Sequence, residues 1–93
     1  MKRTAPKVEL IEVDNAGLIS LIGKKVSIMS VVYHYAGTLV GVNDSCVELE
    51  DAGIVYLTGR WDRPKYEDFQ KIPTAILHVA IPTIEAFFET DKI

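Results

Sequence analysis

Between Leu18 and Ala52 the chain alternates apolar and polar residues like strands, yet it places glycines inside those strands rather than only between them. That combination constrains the fold more than any other feature. A mid-strand residue with no side chain lets the backbone bend sharply or another backbone approach closely. Gly37 interrupts a segment running from Tyr33 to Val42, and Gly41 repeats the device four residues on. Asn43-Asp44-Ser45 then supplies turn chemistry, and the chain returns as Cys46–Leu57, with Asp51-Ala52-Gly53 marking a kink or bulge within that third strand.

The rest of the chain is read around this core. Asp14-Asn15 is an N-cap candidate for a short helix over Ala16–Ile22, with Leu18, Leu21 and Ile22 on one face at helical spacing and Gly23 placed to end it. Lys24–Ser30 reads as a first strand, with Val26 and Ile28 inward and Lys25 and Ser27 outward. No Gly, Pro, Asn or Asp marks the next turn, which is expected near Ser30–Val32. Gly59–Pro73 reads as a polar connection, Thr74–Ile81 as a fourth strand and Ile84–Phe88 as a fifth, reached through a Pro82-Thr83 turn. Pro82 at a first helical position leaves a helix open as the alternative for that last element. The expected fold class is mainly β: a small, strongly bent, five-stranded barrel with a short N-terminal helix, spanning residues 14–93 behind an arm at residues 1–13.

Ninety-three residues suffice for one domain with a modest core, and a sheet protein of that size gains by burying its edges against further copies. Net charge is -3 and unevenly spread. Residues 26–59 carry no Lys or Arg and four acids, whereas residues 60–71 carry four basic residues against three acids. A nucleic-acid surface on such a chain has to be local and its binding salt-sensitive. Cys46, the single cysteine, excludes an intrachain disulfide and reads as a small packing residue. The sequence has no phosphate-binding glycine loop, no metal-ligand spacing of Cys and His, and no nucleophile with a base placed beside it. The expectation is therefore a non-enzyme without cofactor or metal. No secretory signal or membrane-length apolar run is visible, so the expected location is cytoplasmic.

Leu21-Ile22-Gly23-Lys24-Lys25-Val26, Gly37-Thr38-Leu39, Asn43-Asp44 and Leu49-Glu50-Asp51-Ala52 together resemble the first motif of the Sm and Sm-like proteins. His78-Val79-Ala80-Ile81-Pro82-Thr83-Ile84 is similar to that family's second motif, closer to the pattern of bacterial Hfq. The resemblance covers roughly residues 16–88. It implies a subunit that closes into a homo-oligomeric ring through edge strands near 74–81 and 84–88. It also implies binding of single-stranded RNA by Asn43, Asp44, Ser45, His78 and Thr83 at the central opening. The chain departs from the family at defined places. Cys46 stands where the first motif ends in a base-holding Asn, and Pro82 where the second has an Arg. His78-Val79 replaces the bacterial Lys-His pair.

Each site has a second reading. Asn43, Asp44 and Ser45 also make sense as a hairpin turn alone, and His78 as a half-buried strand residue. Arg60, Trp61, Arg63 and Lys65 mix cations with an aromatic ring as single-strand binders do. Asp62, Glu67 and Asp68 dilute that patch, which reads better as a solvated loop with Trp61 anchored on the barrel. The alternative for the whole chain is a structural or protein-binding ring that has lost RNA recognition.

Overall fold

The computed structural model describes residues 17–93. The expected arm at residues 1–13 and the Asp14-Asn15 cap lie outside the described residues. A single 3-10 turn, Leu18–Leu21, is followed by β1 (Lys25–Ser30), β2 (His34–Val42), β3 (Cys46–Leu57), β4 (Asp68–Lys71) and β5 (Ile76–Ala80). A second 3-10 turn, Ile81–Thr83, leads into β6 (Ile84–Glu89). All pairings are antiparallel. The path runs β4-β3-β2-β1-β6, with β5 also on β3. The last element is thus a strand, not the alternative helix. No helix among the described residues is long and apolar enough to cross a membrane.

The helix differs from expectation in kind. An α-helix would carry Leu18, Leu21 and Ile22 on one face, but a 3-10 turn has about three residues per turn and rotates the fourth away. Leu18 and Leu21 accordingly pack on the core, while Ile22 is left exposed. Gly23 follows at φ 90°, a conformation that suits glycine alone.

Among the described residues the sheet has six strands, one more than expected, because β3 carries two partners on the edge opposite β2. β5 lies along Cys46–Glu50 and β4 along Gly53–Leu57. Between them Asp51 and Ala52 bulge against the single residue Gly37 of β2, with Asp51 at φ 51°. The glycines make this possible. A side chain at Gly37 would sit 2.9 Å from the Ala52 Cα, and one at Gly53 would strike the Gln70 carbonyl oxygen and come within 2.7 Å of Phe69 Cζ.

Chain connectivity forces the sheet to curl. Four inter-strand steps separate β5 from β6 by way of β3, β2 and β1. At about 4.8 Å each, those steps would place β5 and β6 about 19 Å apart in a flat sheet. Yet only Ile81–Thr83 joins them, and four residue-to-residue steps reach at most about 14 Å. Backbone bonds fasten the crossing on both sides, from Ile81 N–H to the Ser45 carbonyl (2.9 Å) and from Val31 N–H to the Thr83 carbonyl (3.0 Å). The curl stops short of closure: among the described residues no ladder joins β6 to β5 or β4, so the expected barrel is observed as a curled, open sheet.

Val26, Ile28, Leu39, Val47, Leu49, Ala52 and Val79 form the main core on the inner face. A smaller cluster of Ala36, Val55 and Tyr66 occupies the other face, backed by Phe69 and Ile93. Ser27 was expected outward; it does leave the main core, but the loop carrying Tyr66 covers it completely. Its hydroxyl lies 2.5 Å from that of Tyr66, which offsets a desolvation cost of about 1–3 kcal/mol for a buried, unpaired hydroxyl. The β1–β2 turn, lacking the usual turn residues, is held by a serine. Ser30 Oγ donates to the Tyr33 carbonyl at 2.7 Å and accepts from the Tyr33 N–H at 3.3 Å.

Gly53→Ala is expected to lower stability by about 1–3 kcal/mol, the usual penalty of overpacking. Urea unfolding checks it. An unchanged midpoint would mean that β4 is not held against β3 as described.

Candidate functional site

The β2–β3 turn is built on one side chain. Asn43 Oδ1 accepts from the Ser45 N–H (2.8 Å), the Ser45 hydroxyl (2.9 Å) and the Cys46 N–H (2.9 Å). The Asn43 N–H donates in turn to the Cys46 carbonyl at 3.0 Å. Asp44 stands exposed at the tip. Because the Ser45 carbonyl receives the Ile81 N–H, this turn lies beside the Ile81–Thr83 crossing. The structure therefore brings Asn43, Asp44, Ser45 and Thr83 to one end of the sheet. Their hydrogen-bonding capacity is largely turned inward, since Thr83 Oγ1 also donates to the Ala80 carbonyl at 2.7 Å.

His78 lies on β5 directly opposite Glu48 of β3. Cys46 and Glu48 are two apart on β3 and so share a face, the one turned away from Val47 and Leu49. His78 Nδ1 is 3.8 Å from Cys46 Sγ and 3.7 Å from Glu48 Oε1. Asn43 Nδ2 reaches the same sulfur at 3.5 Å. Sequence reasoning passed over this cluster: the Cys-x-Glu alternation is legible, but 32 positions separate Cys46 from His78 and only the β3–β5 register brings them together. A thiol beside an imidazole suggests a nucleophile and its base, and in a triad of that kind the orienting group holds the second ring nitrogen. Here thiol and carboxylate both approach Nδ1.

Arg60, Trp61, Arg63 and Lys65 lie past the far end of β3, so the two sets of expected site residues are not brought together. Arg60 forms a fork to Asp62, with Nε to Oδ1 at 3.1 Å and Nη2 to Oδ2 at 3.0 Å. Lys65 Nζ donates to the Ile93 carbonyl at 2.9 Å, and Lys92 Nζ donates to the Arg63 carbonyl. An open depression of about 560 Å³ is lined by Gly59, Arg60, Arg63, Pro64, Lys65 and Glu67. Trp61 packs edge-on against Tyr66 and Phe88, with ring centroids 6.1 and 6.0 Å away. His34 meets Tyr66 edge-on at 5.3 Å from below. Burial pushes the His34 pKa below its ordinary value, and its Nε2 has no hydrogen-bond partner. Trp61 is thus anchored on the sheet, and the guanidinium of Arg60 is engaged by its own loop.

Asn43→Ala is expected to cost about 0.5–1.5 kcal/mol in urea unfolding, the net worth of a hydrogen bond whose donors water can reach. Asn43→Asp keeps the accepting oxygen and should recover most of that loss. Equal destabilisation by both would show that the carbonyl does not hold the turn.

Comparison of the chain with protein-family models, curated proteins and solved structures found no match.

Proposed function

We propose that this chain is an Sm-like subunit that closes into a homo-oligomeric ring and binds single-stranded RNA weakly through the turns at its opening. The observation that carries the assembly is the outer edge of β5 and of β6, the two strands joined by the crossing. β5 bonds only to β3, and β6 only to β1, among the described residues. Their outer edges flank a crossing too short to let the sheet flatten. Exposed edges of this kind are satisfied by pairing with another copy, and a head-to-tail contact closes when its rotation permits. The motifs in Leu18–Ala52 and His78–Ile84 support the same reading. RNA contacts fall to Ser45, Asp44 and His78, with Arg60, Trp61, Arg63 and Lys65 as a separate patch. In this reading the protein is a cytoplasmic binding protein rather than an enzyme.

One observation favours a second reading, a ring that is structural or protein-binding. Asn43 Oδ1 already accepts three hydrogen bonds and the Thr83 hydroxyl is spent on Ala80, which leaves little to hold a base.

Light scattering at micromolar concentration is expected to give a mass several times that of the subunit; a monomer contradicts the ring. Fluorescence anisotropy with short U-rich and A-rich RNAs at two salt concentrations separates the two readings. Saturable binding that weakens with salt, and weakens again in His78→Ala, supports RNA recognition. A ring that binds neither RNA is the structural one.

A further inference from the structure

The geometry points to a zinc-type metal site formed by Cys46, Glu48 and His78. One donor atom from each lies within 4.8 Å of the others. A tetrahedral ion with bonds of about 2.0–2.3 Å to N, O and S would hold its donors about 3.3–3.5 Å apart. The separations of 3.8 Å between sulfur and imidazole and 3.7 Å between imidazole and carboxylate exceed that by a few tenths of an ångström. The His78 and Glu48 side chains are 58% and 37% exposed, so small rotations close the difference. The cross-strand pairing already sets Glu48 opposite His78, and the Cys46 and Glu48 donors lie within 4.8 Å of each other.

Three further features fit a ligand set better than a chance grouping of polar side chains. Thiol and carboxylate converge on the same ring nitrogen, as ligands around one ion do. Asn43 Nδ2 faces Cys46 Sγ at 3.5 Å, where an amide donor stabilises a metal-bound thiolate from outside the coordination sphere. Gly41, paired with Glu48, leaves space for the carboxylate, since a side chain there would come within 2.9 Å of Glu48 Oε2.

The donor types select the ion. A thiolate and an imidazole disfavour Mg²⁺ and Ca²⁺, which take oxygen ligands, and suit Zn²⁺ or Co²⁺. On binding, the metal replaces the thiol proton, which passes to solvent. Three protein ligands leave a fourth position for water. The site shares His78 with the RNA reading, but its test uses no RNA, so either can fail without the other.

Titrating the full chain with Co²⁺ is expected to give one ion per chain, with a thiolate-to-cobalt charge-transfer band and d–d bands of tetrahedral intensity, all bleached by Zn²⁺. Cys46→Ser should abolish the charge-transfer band. His78→Gln and Glu48→Gln should each weaken binding more than about tenfold, at least the loss caused by disturbing a ligand's outer partner, while circular dichroism stays unchanged. Two results would overturn the site. One is the lack of a charge-transfer band at stoichiometric Co²⁺. The other is wild-type affinity in whichever of the Gln variants folds, which would leave only a lone thiol binding metal.

Discussion

The crossing at Ile81–Thr83 is the constraint on which the rest of the structure depends. It joins strands four ladder steps apart with only a three-residue connection, and a flat sheet cannot satisfy that reach. The sheet therefore curls, and its curl encloses Val26, Ile28, Leu39, Val47 and Leu49. The same crossing is bonded to the β1–β2 turn through Val31 and to the β2–β3 turn through Ser45. One short segment thus sets the curvature and gathers the loops at that end.

Curvature needs places where the backbone can bend, and the sequence supplies them on β2 and β3. Gly37 faces a two-residue bulge at Asp51-Ala52, and Gly53 lets β4 approach on the far side. The bulge also divides the outer edge of β3 between β5 and β4. Each half then builds its own surface. Beside β5 lie Cys46, Glu48 and His78; beyond β4 lies the loop that lays Tyr66 over Ser27 and Trp61 over Phe88.

Much of this was legible in the sequence, and what was not has identifiable causes. Cys46–Leu57 was readable as one strand from its alternation and the turn before it, and Gly37 and Asp51-Ala52-Gly53 marked the bend. β4 was hidden because Asp68-Phe69-Gln70-Lys71 has no apolar alternation; it is a strand because β3 offers an unpaired edge there. Ser27 looked outward because alternation reports which face a residue takes, not whether a distant loop covers that face. The 3-10 turn differs from an α-helix by one residue of spacing, too little for three apolar residues to decide. As for the candidate site, the turn residues were legible from composition, whereas the Cys46–Glu48–His78 cluster depends on register between strands far apart in the chain. The internal engagement of Asn43 and Thr83 is likewise a matter of three-dimensional hydrogen bonding.

The proposed assembly follows from a curled sheet in which β5 and β6 each have one partner among the described residues, and it stands apart from whether the ring binds RNA or the cluster binds metal. Amide hydrogen exchange of β5 and β6, followed across a dilution series, tests it most directly. The account predicts that amides of Ile76–Ala80 and Ile84–Glu89 not bonded to β3 or β1 are protected at high protein concentration and exchange rapidly on dilution. Rapid exchange of those amides at every concentration, with oligomers present, would contradict it.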